Sequence, residues 1–85
     1  MNWTVIIDGY AKKYLKRIPR KDTNRIREAL RELAYNPYVG DIEKLEGNKN
    51  IWRRRIGLYR ILYEINESRK LIYVSDIKRR TSSTY

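Results

Sequence analysis

Cysteine, histidine and phenylalanine are all absent from this 85-residue chain, which also has only 2 prolines, 4 glycines and a single methionine. Without cysteine there is no disulfide frame, no thiolate nucleophile and no thiolate metal site. Without histidine, zinc sites built on imidazole, Ser-His-Asp triads and paired-histidine nuclease chemistry are excluded. No apolar run approaches the ~20 residues of a membrane span. The opening MNWTVIIDGY has no basic segment ahead of an apolar stretch, so a cytoplasmic protein with no membrane partner is expected. No repeat, linker or low-complexity tract divides residues 1–85, which read as one domain. Any catalysis must rest on Arg, Lys, Tyr, Glu or Asp.

What is abundant is positive charge. Lys and Arg number 20 against 10 Asp and Glu, a formal net charge of +10. That balance favours a polyanionic partner. The hydrophobic fraction of 41% is enough for a packed fold rather than disorder.

Local patterning gives an α+β fold. Trp3 to Asp8 is a run of β-formers closed by Asp8-Gly9. From Tyr10 the period becomes helical, with Tyr10, Tyr14 and Ile18 recurring every four residues beside Ala11 and Leu15 on one side, and Lys12, Lys13, Lys16 and Arg17 on the other. Pro19 stops this helix. A second, capped by Asp22 or Thr23, carries Ile26, Ala29, Leu30, Leu33 and Ala34 and ends near Asn36-Pro37. A Pro19-Arg20-Lys21 turn makes the two helices an antiparallel hairpin. Strands are then expected at 51–58, 59–66 and 70–77, with a short one at 43–45 allowed. The predicted order is β-α-α-β-β-β, a helical hairpin on one face of a small, mostly antiparallel sheet. Val5, Ile7, Tyr14, Ile26, Leu30, Leu33, Ile61, Tyr63, Leu71 and Tyr73 are the expected core. Residues 79–85 form a polar tail.

Chemistry concentrates in Trp52-Arg53-Arg54-Arg55-Ile56-Gly57-Leu58-Tyr59-Arg60. Strand alternation puts Arg53 and Arg55 on one face and Trp52 and Ile56 on the other, with Arg60 able to join the first pair from the next strand. Three converging guanidiniums suit a phosphodiester. Arg54 points the wrong way by alternation and requires an edge position or a bulge to reach phosphate. The same spacing equally describes a solvated strand face or a charge-blunted edge. Lys12 and Lys13 on the first helix, and Lys78 and Arg80 near the tail, are further phosphate-contact candidates.

The ordered set Lys44-Leu45-Glu46-Gly47, Trp52-Arg53-x-Arg55, Gly57-x-Tyr59-Arg60-x-x-Tyr63 and Lys78-Arg79, with Tyr85 at the end of the chain, resembles the RelE/ParE toxin superfamily. It is most similar to RelE-type ribosome-dependent mRNA endoribonucleases. The resemblance implies a type II toxin acting on mRNA in the ribosomal A site; no metal or cofactor is expected, since Asp8, Glu64 and Asp76 form no recognisable carboxylate cluster in sequence. It further implies catalytic roles for Arg53, Arg55, Arg60, Arg79 and Tyr85, with 79–85 a functional tail. A RelB-like acidic antitoxin, forming a toxin–antitoxin hetero-oligomer, is the implied partner. Arginine replaces lysine at positions 53 and 55 of the best-known bacterial members, which removes a group able to give up a proton. Two other readings stay open: a ParE-like DNA gyrase inhibitor, which is not an enzyme, and a decayed RNA- or ribosome-binding module.

Overall fold

The computed structural model describes residues 3–45, 47 and 50–80. Within them the chain forms β1 (Thr4–Ile7), α1 (Gly9–Arg17), α2 (Arg20–Tyr35), β2 (Ile42–Lys44), β3 (Ile51–Ile56), β4 (Tyr59–Asn66) and β5 (Leu71–Arg79). The five strands lie in the order β1-β5-β4-β3-β2. β1 runs parallel to β5 and every other neighbouring pair is antiparallel. The helical hairpin covers one face of the sheet. The expected architecture holds, with β2 as the short additional strand.

Asp8 starts α1. Its Oδ2 accepts from the backbone N–H of Tyr10 at 3.0 Å and its Oδ1 from the hydroxyl of Tyr73 at 2.6 Å. Those two bonds, the Tyr73 one foremost, hold the carboxyl below its ordinary value. At the other end, Lys16 and Arg17 complement the partial negative charge of the helix C-terminus. The start of α2 differs from expectation. Pro19 is its N-cap, without a side-chain bond, and the connection is only Ile18-Pro19. Thr23 is instead buried in the first turn, its hydroxyl donating to the Leu15 carbonyl at 2.9 Å, while Asp22 accepts from Tyr59 at 2.8 Å. Both tie α2 to its neighbours rather than cap it. Asn36 is extended, as the following Pro37 requires.

Ile26, Leu33, Ile61, Tyr63, Ile72 and Val74 are fully buried between helices and sheet. At roughly 1.5–3 kcal/mol for each large apolar side chain, this layer dominates the stability. In β5 the expected core residues Leu71 and Tyr73 lie on the outer face, and Ile72, Val74 and Ile77 take the inner one. LIYV offers apolar residues on both faces, so alternation alone does not choose. A register shift then intervenes: Tyr63 pairs with Val74 but Leu62 with Asp76, leaving Ser75 as an extra residue. The bulge flips the parity of everything after it, sending Ile77 and Arg79 inward and Asp76, Lys78 and Arg80 outward.

Candidate nucleic-acid interface

The face opposite the helices carries the arginine cluster. β3 turns into β4 through Gly57-Leu58, with Ile56 opposite Tyr59 and Arg55 opposite Arg60. Gly57 has φ +58, the positive value that a type II′ hairpin turn needs at its first central residue. This two-residue connection fixes the register, and the register puts Arg53, Arg55 and Arg60 together. Arg80 completes the group. Its backbone N–H donates to the Leu58 carbonyl at 2.6 Å, beyond the last residue of β5. The four guanidiniums line a depression of about 200 Å³.

Four permanent positive charges around one small space repel one another. Glu43 on β2, in register with Arg53, forms an ion pair with it and offsets part of that repulsion. A phosphate would offset more. Converging guanidiniums of this kind are able to bind an anion. None of these groups can relay a proton, because guanidinium stays charged throughout the accessible pH range.

Phenols are the acid–base candidates to which the family resemblance points. Among the described residues, the four tyrosines with displaced ionisation all move upward. Tyr73 is raised by its bond to Asp8, Tyr59 by its bond to Asp22 and Tyr38 by its bond to Glu67. Burial pushes Tyr63 up to about 12. These hydroxyls serve structure: Tyr63 donates to the Pro37 carbonyl at 2.8 Å, for example. Tyr85, the expected catalytic tyrosine, lies outside the described residues, as does Glu46 of the first motif.

Of the other expected site residues, Arg79 and Arg54 are not in the pocket. Arg79 is the last residue of β5, opposite Tyr59, and lines a groove against α1. The Ser75 bulge sets this, so Arg80 takes the pocket position instead. Arg54 stays on the helix side, 7% exposed, and Nη2 donates to Glu32 on α2 at 2.7 Å. Alternation places it there, and a partner on α2 rather than a bulge accommodates its charge. Lys78 and Lys13 line the same groove as Arg79, and Lys12 is exposed on α1. Glu43 and Glu32, which organise Arg53 and Arg54, carry no signal in the sequence, since both pairings depend on tertiary register.

A helical hairpin on a β1-β5-β4-β3-β2 sheet, with an arginine cluster on its open face, makes a small basic α+β domain with an anion-binding surface. The chain belongs to the family described as ParE toxin of type II toxin–antitoxin system, parDE, whose model matches residues 5–83. RelE1 of Methanocaldococcus jannaschii is 30% identical over 83 residues, covering 94% of this chain and 92% of its own. The archaeal RelE–RelB complex from Pyrococcus horikoshii OT3 contains a chain 31% identical, with a TM-score of 0.87 over 96% of this chain and 99% of that one. RelBE2 of Mycobacterium tuberculosis, at 22% identity, shares the fold with a TM-score of 0.81 over 94% of this chain and 100% of the other. The protein is thus a RelE-type toxin of a toxin–antitoxin system.

Proposed function

We propose that this toxin is an endoribonuclease that cleaves mRNA in the ribosomal A site and so arrests translation in the cytoplasm. The observation that carries the reading is the convergence of Arg53, Arg55, Arg60 and Arg80 on one depression of about 200 Å³. RNA breaks when its own 2′-OH gives its proton to a base and the oxygen attacks the adjacent phosphorus; the P–O5′ bond breaks, giving a 2′,3′-cyclic phosphate and a 5′-oxygen that takes a proton from water. The guanidiniums bind the phosphodiester and stabilise the dianionic phosphorane. Tyr85 is the proposed base, acting where neighbouring arginines lower its pKa from about 10. The ribosome supplies the substrate alignment that so sparse an acid–base set lacks, so naked RNA is a poor substrate.

The partner is an acidic RelB-like antitoxin, whose negative segment covers the arginine face. The family match to ParE toxins favours a second reading, a gyrase poison that needs no RNase centre. A ribosome-based translation reaction followed by primer extension decides between them. Cuts within codons that vanish in Arg60→Ala support the nuclease. An intact message with gyrase-linked DNA breaks supports the poison.

A further inference from the structure

β5 outlasts its parallel neighbour. β1 pairs with it only from Leu71 to Val74, whereas β5 continues to Arg79. The outer edge of its second half therefore faces α1 rather than a strand. There the backbone N–H of Arg79 donates to the Tyr14 hydroxyl at 2.9 Å, filling one position a strand would have filled. Between this edge and α1 runs an open groove of about 530 Å³, whose walls include Tyr10, Lys13 and Arg17 from the helix and Lys78 and Arg79 from the strand. Among the described residues Asp76 is its one carboxylate, and Lys78 Nζ lies 3.8 Å from it.

Tyr10 sits in the first turn of α1 and is 81% exposed. Its ring is left in solvent at the mouth of a cationic groove. That combination, a flat aromatic face beside several phosphate-binding cations, is what single-stranded nucleic acid uses. Among the described lining residues the rings are Tyr10 and Tyr14 and the one aliphatic side chain, Ile77, is 1% exposed, so the apolar surface on offer is flat ring and alkyl stem, which suits stacked bases. The groove also meets the arginine pocket. Arg79, which lines the groove, and Arg80, which lines the pocket, are consecutive.

We propose that the groove holds a single-stranded RNA segment continuous with the strand whose phosphodiester occupies the arginine pocket. One base stacks on Tyr10, and its phosphates lie on Lys13, Arg17 and Arg79. The inference rests on the RNA-cleavage reading for the identity of its ligand, and names residues that bind RNA outside the reacting nucleotide.

Fluorescence anisotropy with a labelled single-stranded RNA 12-mer, titrated against the full-length chain over a range of salt, tests it. Lys13→Ala/Arg17→Ala should flatten the slope of log K against log salt by about 1.4, since each single-strand phosphate contact contributes about 0.7. Tyr10→Ala should weaken binding about tenfold with the slope unchanged, and Tyr10→Trp should restore it. Tyr10 is too exposed for its loss to disturb the core, and circular dichroism checks the fold of each variant. Wild-type affinity and slope in all groove variants overturn the proposal. So does a groove that takes a poly-glutamate peptide in preference to RNA, with Tyr10→Ala weakening only the peptide. If ribosomal mRNA cuts depend on Arg60 while the groove variants bind RNA normally, the groove assignment falls alone. If no cuts occur, yet the groove variants lose RNA affinity, the groove stands and the cleavage reading falls.

Discussion

At the scale of single residues, two consecutive arginines that look alike in sequence line different sites. Arg80 faces the pocket and Arg79 the groove. Losing one preorganised donor to developing oxyanion charge costs about 10²–10³-fold in rate. Arg60→Ala and Arg80→Ala should each lower single-turnover cleavage on ribosomes by that order. Arg79→Ala should act mainly by weakening RNA binding. Equal loss of rate in Arg79→Ala and Arg80→Ala, with binding intact in both, would contradict the assignment. For Tyr85, Phe retains the ring and removes the proton acceptor, so Tyr85→Phe should slow the chemical step about 10²–10⁴-fold with ribosome affinity little changed. An active Phe variant beside a dead Ala variant would make Tyr85 a stacking platform. Tyr63, by contrast, is a structural phenol. Its pKa is raised to about 12, so the stability tied to its neutral form is complete below about pH 10 and is lost as pH rises through the folded value. Phenolate absorbance should show a late step, absent in Tyr63→Phe, that coincides with alkaline unfolding.

At the scale of elements, β3 is held from both sides. Glu43 on β2 pairs with Arg53 on the open face, and Glu32 on α2 pairs with Arg54 on the helix face. Within the second contact, Arg54 Nε and Nη1 are buried with no hydrogen-bond partner among the described residues, so Glu32 is the principal compensation for that charge. Glu32 is itself half-exposed, which reduces the penalty from the 3–5 kcal/mol of a fully buried pair. Glu32→Ala should cost about 2 kcal/mol in urea denaturation. Arg54→Met should cost less than Glu32→Ala, because it removes the buried charge instead of stranding it. Gly40 belongs to the same contact. It has φ +89, and a Cβ there would lie 2.6 Å from the Arg54 guanidinium carbon, so Gly40→Ala should destabilise through both backbone strain and overlap. Were Glu32→Ala as stable as wild type, the strap would be ornamental.

Element order and both helices were legible because local period and Pro19 and Pro37 dictate them. Arg53, Arg55 and Arg60 could be grouped from alternation and the Gly57 turn alone. The inner face of β5 could not, since Leu71-Ile72-Tyr73-Val74 is apolar on both sides and a bulge decides the parity downstream. For the same reason Arg80 could not be told from Arg79. Pairings such as Glu32 with Arg54 join residues 22 apart and leave no local pattern.

At the scale of the whole molecule, a net charge of +10 favours fast, salt-sensitive association with polyanions. Under the proposed function, an acidic antitoxin and RNA would compete for that field. Association with the antitoxin should slow steeply as salt rises, measured by stopped flow. A salt-independent rate would point to an apolar interface instead.

The central claim is that the arginine pocket promotes attack by an mRNA 2′-OH. The most direct measurement uses ribosomes programmed with a message carrying a single 2′-deoxynucleotide at the position the toxin cuts. The account predicts that the all-ribose message is cleaved, leaving a 2′,3′-cyclic phosphate, and that the 2′-deoxy message survives intact at that bond. Cleavage of the 2′-deoxy message at the same bond would contradict it.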